Sequence, residues 1–277
     1  MRETSHLISS AGRLAELLGR DSPVVRLVRP WYDTVLDLTS GGHGIPWMIN
    51  GVTYRVVPRH RYQMASAYDP HLAEWLITRV RPDQSMLDVG ANVGVYVLQF
   101  AHWSRPVGRV IAVEPNPSAR EVLEKHVRLN GLERRVEIVA AAVGAAAGEA
   151  ALFAIDTDGM SRLGAPNPML AGRATAITVP VVSLDDLCES RAFAPDWLFL
   201  DIEGFEIAAL SGARRLLATG RRSMGIVVEM HPDLWEVAGT SRADAESLFR
   251  ELGLRAEPLS GQVDPLAAHG HVWLRAE

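Results

Sequence analysis

The chain has 277 residues, of which 48% are hydrophobic, so it can bury a full core in one large domain or in one domain with an appendage. Its net charge of -5 argues against a nucleic-acid-binding protein, which usually carries a basic surface. The single cysteine, Cys188, excludes an internal disulfide and a cysteine-rich metal site. The sequence shows no apolar run of about 18 residues and no signal-peptide pattern, so we expect a cytoplasmic protein without a membrane span.

The 28 basic residues comprise one lysine, Lys125, and 27 arginines. This ratio is typical of a GC-rich bacterial genome. Mechanisms that need a lysine base or a Schiff base have almost no residue available. The spacing Gly-x-Ser-x-Gly is also absent, which argues against a serine hydrolase.

Residues 1–66 are predicted to form an N-terminal extension of short helices and a β-hairpin. Apolar residues from Leu7 to Leu18 fall loosely on one helical face, which indicates one or two helices within residues 1–46. These helices would cap the main domain or contact a second subunit, and membrane-surface binding is the weaker alternative. Asn50-Gly51, between apolar runs, is typical of a two-residue hairpin turn.

Residues 67–277 are predicted to form the main domain, which begins with Asp69 and Pro70 as the N-cap and first residue of a helix. From residue 85 onward, strand and helix patterns alternate, which predicts an α/β fold with a mostly parallel, doubly wound sheet. The predicted strands lie near 86–89, 109–113, 135–140, 197–200, 224–229 and 271–275, and the predicted helices near 93–103, 117–129, 205–218 and 242–252. Added strands are predicted at Glu149–Ile155 and Ile177–Val182.

The most informative motif is Asp88-x-Gly90-x-Asn92-x-Gly94, which follows a predicted strand and opens a helix. Glycines in such a turn let the backbone approach a ligand, and the helix N-terminus offers unpaired N–H groups. The motif differs from the dinucleotide pattern Gly-x-Gly-x-x-Gly and favours an adenosine cofactor without a pyrophosphate. S-adenosylmethionine is such a ligand, and its ammonium group pairs with a carboxylate. A purely structural turn is the alternative interpretation.

Glu114 follows the next predicted strand, 24 residues after Gly90. An acidic residue about 20 residues beyond the glycine turn can accept hydrogen bonds from a ribose diol. Tyr68 precedes the first helix of the main domain and could fold over the cofactor, although packing is an equal alternative. Ser161 lies in a Gly/Pro-rich loop that could also reach the site.

Four polar residues follow two other predicted strands. Asp201 and Glu203 end the strand 197–200, and Glu229 and His231 end the strand 224–229. The carboxyl ends of neighbouring parallel strands meet at one edge of a sheet, so we expect these side chains to converge near the cofactor. Such a cluster can deprotonate a hydroxyl group, with Asp201 or His231 as the favoured base.

The same cluster offers candidate ligands for a metal ion. Asp201, Glu203 and Glu229 suit a hard divalent cation such as Mg²⁺. We favour an organic base over a metal ion at this stage. His269-x-His271 could form a metal-binding pair, but a solvated entrance to a strand is the preferred interpretation.

Five motifs in order carry a family resemblance. They are Leu87-Asp-Val-Gly-Ala-Asn-Val-Gly94, Val113-Glu-Pro-Asn-Pro117, Val182-Ser-Leu-Asp-Asp186, Phe199-Leu-Asp-Ile-Glu-Gly204 and Val228-Glu-Met-His231. Together they resemble the FkbM family of S-adenosylmethionine-dependent methyltransferases over roughly residues 65–235, and Tyr68-Asp-Pro70 resembles the family's lead-in element.

The resemblance implies a Rossmann-like class I methyltransferase sheet with a reversed last strand near 271–275. It also implies methylation of a hydroxyl group on a small molecule of the sugar, polyketide or glycolipid type. By position, Asp88, Gly90, Asn92, Gly94, Glu114 and Tyr68 would bind S-adenosylmethionine, and Asp201, Glu203, Glu229 and His231 would face the acceptor. The implied partner is therefore a small molecule, without nucleic acid, and a homodimer remains open.

Two other functions fit the predicted fold. An NAD(P)-dependent oxidoreductase would use a similar sheet, although the missing Gly-x-Gly-x-x-Gly argues against it. A binding module without catalytic activity would keep the cofactor site, but it would have no need for all four polar groups that follow the two strands.

Overall fold

The computed structural model describes residues 22–157, 159–166, 172–220 and 223–277. The apolar residues between Leu7 and Leu18, from which N-terminal helices were predicted, lie outside these ranges. The extension and the lead-in to the main domain contain helix α1 (Pro23–Ser40), strands β1 (Ile45–Ile49) and β2 (Val52–Val56), a 3-10 helix (Pro58–Gln63) and helix α2 (Pro70–Ile77).

The main domain is built on a seven-stranded sheet, with a smaller four-stranded sheet beside it. Its elements are β3 (Met86–Val89), α3 (Val95–Trp103), β4 (Val110–Val113), α4 (Pro117–Leu129), β5 (Val136–Val139), β6 (Ala142–Val143), β7 (Gly148–Ala154), β8 (Arg162–Leu163), β9 (Thr175–Val182), α5 (Leu184–Ser190), β10 (Trp197–Leu200), α6 (Glu206–Ser211), α7 (Arg214–Gly220), β11 (Gly225–Met230), a second 3-10 helix (Pro232–Ala238), α8 (Arg242–Leu252), β12 (Leu254–Pro258) and β13 (Gly270–Ala276).

The large sheet has the strand order β12-β13-β11-β10-β3-β4-β5. The pairs from β11 through β5 are parallel, and β13 runs antiparallel to both of its neighbours. This arrangement confirms the predicted parallel sheet and its reversed last strand. Strand β12, which the sequence analysis did not predict, lies at the outer edge.

Both faces of the large sheet are covered, because alternate residues of each central strand enter different cores. In β3, Leu87 and Val89 pack in the core on one face, whereas Met86 packs in the core on the other face. Continuous burial of this kind explains why the parallel strands read as unbroken apolar runs in the sequence. Polar side chains can therefore meet only at the ends of these parallel strands.

The hairpin of the extension packs on the main domain. Asn50 and Gly51 both have positive φ, as the predicted two-residue turn requires. Buried side chains from β1 and β2 share a core with Val95 and Leu98 of α3 and with Val122 of α4. The extension therefore covers α3, which follows the glycine turn, and α4, which follows β4.

Two local predictions need correction, and one helix was not predicted. Asp69 occupies the N-cap position of α2, but its side chain makes no capping bond and instead accepts a 2.9 Å hydrogen bond from the Tyr96 hydroxyl. The helix predicted over 205–218 is divided into α6 and α7, because the carboxylate of Asp185 accepts hydrogen bonds from the backbone amides of Arg215 and Leu216 and starts a new helix there. Helix α5 was missed, although Ser183 caps it by accepting from Asp186 N.

The added strands of residues 146–182 form a small sheet in the order β6-β9-β7-β8. Strands β7 and β9 were predicted, whereas the short β6 and β8 were not. Within the described ranges, no helix combines the length and the apolar composition needed to cross a membrane.

Candidate active site

The glycine turn joins β3 to the neighbouring strands at the carboxyl edge of the sheet. Gly90 and Ala91 donate backbone hydrogen bonds to the carbonyl oxygen of Val113, at 2.9 and 3.1 Å. Gly90 has a φ of +87°, and a Cβ atom at this position would overlap the carbonyl oxygen of Asp201. Only glycine fits here, because the conformation and the close approach both exclude a side chain.

Glu114 lies directly beside the turn and is 5% exposed. Its Oε2 accepts a 2.7 Å hydrogen bond from the backbone amide of Asn92, and its Oε1 accepts a 2.8 Å hydrogen bond from the amide of Asn116. Burial raises the pKa of Glu114 to about 7 despite these two bonds. Each carboxylate oxygen keeps capacity for a further donor.

Asp88 is 2% exposed, and its Oδ2 has no hydrogen-bond partner within the described chain. Burial, and secondarily the charge of Glu114, raise the pKa of Asp88 to about 7. A buried acceptor without a donor is costly, so this carboxyl group is suited to a ligand that brings a donor or a positive charge.

A cavity of about 330 Å³ opens at this edge of the sheet. It is within the size range of small-molecule binding sites. The predicted site residues that line it are Tyr68, Asp88, Gly90, Asn92, Glu114, Ser161, Asp201, Glu203, Glu229 and His231. Gly94 is not among the residues that line it, and the side chain of Leu123 lies against Gly94 instead.

Tyr68 is held in the cavity wall by the hairpin turn. Asn50 accepts from the Tyr68 amide at 3.0 Å and donates to the Tyr68 carbonyl oxygen at 2.7 Å. The Tyr68 ring contacts the Tyr96 ring edge-on, with 5.7 Å between centroids. The turn predicted from Asn50-Gly51 therefore positions a cavity residue, a role that the sequence analysis did not assign.

The four polar residues that follow β10 and β11 converge as predicted. The carboxyl groups of Asp201 and Glu229 line the same cavity and influence each other's pKa. Burial, and then the charge of Glu229, raise the pKa of Asp201 well above its usual value. Burial alone would raise the pKa of Glu229 as well, but His271 and His231 lower it to about 2. The two neighbouring carboxyl groups therefore have pKa values shifted in opposite directions.

His231 is buried and forms a hydrogen bond with Glu206, which was not predicted as a site residue. Its Nδ1 lies 2.7 Å from Oε1 of Glu206, which is fully buried. The amide of Gly204 and the indole N–H of Trp235 also donate to Glu206. Burial opposes protonation of His231, but the hydrogen bond and charge of Glu206 raise its pKa to about 9.

Two histidines that precede and begin β13 complete the cluster. His269 Nε2 lies 2.8 Å from Glu229 Oε1, and His271 Nε2 lies 3.4 Å from Glu229 Oε2. The rings of His231 and His269 stack with 4.7 Å between centroids. His269 is exposed at the entrance to β13, as expected, whereas His271 is buried, and both rings contact the cavity carboxylate of Glu229. We call Asp201, Glu203, Glu229, His231 and His269 the polar rim.

The family model described as "Methyltransferase FkbM domain" matches residues 88–256, which is more than half of the chain. The chain belongs to the FkbM methyltransferase family. The five motifs that carry the resemblance run from Leu87 to His231, so all but the first residue lie within the matched residues 88–256. With the strand order described above, the family confirms the predicted class I methyltransferase fold.

Solved structures of methyltransferases match the chain at low identity. Methyltransferase FkbM from Methylobacillus flagellatus KT is 17% identical with a TM-score of 0.46, and the match covers 69% of this chain and 43% of that protein. The O-methyltransferase from Bacillus cereus in complex with SAH is 14% identical with a TM-score of 0.43, covering 74% and 79%. Fibrillarin from Aeropyrum pernix, with natively bound S-adenosyl-L-methionine, is 14% identical with a TM-score of 0.46, covering 83% and 82%.

This chain therefore spans less than half the length of the Methylobacillus FkbM protein. No curated protein matches the chain significantly.

Proposed function

We propose that this FkbM chain transfers a methyl group from S-adenosylmethionine to a hydroxyl group of a small molecule. The observation that carries the proposal is the pair of buried carboxyl groups, Asp88 and Glu114, beside the glycine turn of a cavity that opens on the polar rim. One end of the cavity suits a cationic nucleoside, and the other end suits an oxygen acceptor.

The residues around the glycine turn fit the methyl donor. Glu114 is fixed by two backbone amides and retains acceptor capacity for a ribose diol. The partnerless Oδ2 of Asp88 suits the ammonium group of the donor, whose positive charge would also relieve the repulsion between Asp88 and Glu114. Tyr68 lies in the same wall and would cover the bound cofactor.

When bound, S-adenosylmethionine supplies a sulfonium-activated methyl group, so that transfer forms an O–CH₃ bond, breaks the S–CH₃ bond and leaves the hydroxyl proton to the protein. The chain must hold the acceptor oxygen in line and take up that proton, and well-placed groups of this kind accelerate reactions by roughly 10²–10⁴-fold. The polar rim is where both tasks can be done. Because Glu206 occupies Nδ1 of His231, only Nε2 of that ring is available to the cavity.

The acceptor class remains the one implied by the family, a sugar, polyketide or glycolipid type of natural product made in bacterial secondary metabolism. We also retain the cytoplasmic location expected from the sequence. The protein would be assayed with labelled S-adenosylmethionine and a panel of hydroxyl compounds, with products analysed by mass spectrometry. Formation of a methyl ether supports O-methyl transfer. Label on nitrogen or carbon alone would contradict it.

The predicted homodimer has a candidate surface on α1. Leu27, Trp31 and Leu38 are each 76% exposed on this helix. The opposite side of α1 is anchored to the 3-10 helix by the buried ion pair between Asp33 and Arg61. An exposed apolar stripe on a firmly held helix is typical of a protein interface, and we propose that a second copy of the chain covers it.

A further inference from the structure

Three side chains of the polar rim form a compact group of metal-ligand type. Glu229, His231 and His269 each present one ligand atom, and these atoms all lie within 4.8 Å of one another. The three residues come from the end of β11 and the segment before β13, which are neighbouring strands. Glu229 is paired with His271, whereas His231 and His269 lie just beyond the paired residues, at the mouth of the cavity.

We propose that Glu229, His231 and His269 bind a divalent transition-metal ion that holds the acceptor oxygen during methyl transfer. This inference rests on the proposed O-methyl transfer. Two imidazole nitrogens and one carboxylate oxygen are the ligand set of catalytic zinc sites and of other first-row metals with open positions. The all-oxygen set considered from the sequence suits Mg²⁺ instead. The two histidines change the expected metal class.

The Nδ1 atom of His231 makes the kind of hydrogen bond that metal-binding histidines usually make. A metal-bound histidine usually donates its other ring N–H to a carboxylate or carbonyl, which fixes the ring orientation. Nδ1 of His231 lies 2.7 Å from Glu206, and Glu206 is held by the Gly204 amide at 2.8 Å and by Trp235 Nε1 at 2.9 Å. Nε2 of His231 is thereby directed to the cavity, where Glu203 Oε1 lies 3.9 Å away.

The carboxyl groups around the three ligands supply a second reason. Asp201 and Glu229 both line the cavity, and a cation beside two neighbouring carboxylates offsets their mutual repulsion. Glu203 adds a third carboxyl group to the same wall of the cavity. A divalent ion on Glu229 would offset this concentration of negative charge.

The ion would have a defined task in the proposed reaction. At an open coordination position it would bind the acceptor hydroxyl and lower the pKa of that hydroxyl, as zinc does for bound water. The proton would pass to the Glu203 carboxylate, so that the acceptor oxygen is left as the nucleophile. Glu206 is then a positioning residue, because it acts on the ion only through His231.

Metal binding can be measured without any acceptor. The full chain, stripped with a chelator and dialysed, would be titrated with Co²⁺, and binding followed by calorimetry and by visible absorption of the bound ion. We expect one ion per chain. His269→Ala removes an exposed ligand, so the fold is retained and the affinity for Co²⁺ falls at least about tenfold. His71→Ala, on the exposed side of α2, is the matched control and should bind as wild type does.

The buried contact between Glu206 and His231 suggests a second variant, Glu206→Gln. Loss of such a contact lowers metal affinity by about 10–100-fold in known sites, and we expect Glu206→Gln to do the same. Equal Co²⁺ affinity in wild type and His269→Ala, or no saturable binding in wild type, would overturn the metal site.

The two proposals fail in different ways. Methyl transfer by protein shown to be metal-free would reject the metal and leave the O-methyltransferase standing. Saturable Co²⁺ binding without any binding of S-adenosylhomocysteine would reject the methyltransferase and leave the metal site standing.

Discussion

The backbone amide of Asn92 donates a 2.7 Å hydrogen bond to Oε2 of Glu114. This bond joins the glycine turn after β3 to the carboxyl group after β4, which are the two elements that the sequence assigned to one cofactor. Asn92 has a φ of +46°, so its amide is directed by a left-handed residue within the turn. The turn and the acidic residue are thus one unit.

Glu114→Gln should weaken binding of S-adenosylhomocysteine by about 10–100-fold, because a neutral amide replaces the charged acceptor of the ribose hydroxyls, and hydrogen bonds to charged groups are worth about 1.5–3 kcal/mol. Calorimetric titration of the two proteins measures the change. Glu133→Gln, at an exposed position after α4, is the control. Equal affinity in Glu114→Gln and wild type would reject the ribose role.

Binding of S-adenosylhomocysteine should strengthen as pH rises from about 5.5 to about 8. The pKa values of Asp88 and Glu114 are raised to about 7 in the ligand-free protein. Their protonated forms therefore stabilise the folded state against unfolding, fully so below the ordinary carboxyl pKa, and this contribution is lost as pH rises through about 7. A ligand that donates to both ionised carboxylates reverses this penalty. The increase in Tm caused by the ligand should therefore be larger at the higher pH.

The matched comparison for this pH effect is Glu114→Gln, which should lose part of the dependence because one titrating group is gone. A ligand-induced Tm increase that is constant across this pH range would show that neither carboxyl group changes its protonation on binding.

Asp201→Asn should leave the affinity for S-adenosylhomocysteine largely unchanged and lower turnover by at least about 10²-fold. The reason is that an amide neither takes up nor releases a proton, so proton transfer through Asp201 within the polar rim is lost while the side-chain shape is kept. Steady-state kinetics with the acceptor found in the screen give the value. Asp233→Asn, at an exposed position after β11, should retain wild-type turnover. Wild-type turnover in Asp201→Asn would remove Asp201 from the reaction.

The apolar stripe of α1 predicts self-association. We expect light scattering after size-exclusion chromatography to give the mass of a dimer, and Trp31→Ser combined with Leu38→Ser to give a folded monomer, since both side chains are exposed. Val263→Ser, at a fully exposed position far along the chain, is the control. A monomeric wild type at high protein concentration would refute the dimer.

The sequence predicts the large sheet because its parallel strands are buried on both faces and its helices carry clear caps. Asn116 caps α4, and its side chain accepts from the Ser118 amide. Strand β12 escaped prediction because Leu254–Pro258 is short and includes two charged residues, and it is a strand only through its pairing with β13. Pairing partners distant in the chain are not visible in a local pattern.

The candidate site was predictable where residues follow a strand and unpredictable where a helix or a distant loop supplies them. Glu206 stands in the first turn of α6, and its spacing from His231 gives no sign that Nδ1 lies 2.7 Å from its carboxylate. His269 was visible as part of a His-x-His pair, but its contact with Glu229 depends on the antiparallel pairing of β11 and β13.

The most direct test of the account is a calorimetric titration of the wild-type chain with S-adenosylhomocysteine, run beside one with NAD⁺. The geometry of Asp88, Asn92 and Glu114 predicts saturable binding of S-adenosylhomocysteine at one site per chain and no binding of NAD⁺. Binding of NAD⁺ without binding of S-adenosylhomocysteine would contradict the cofactor assignment and with it the proposed methyl transfer.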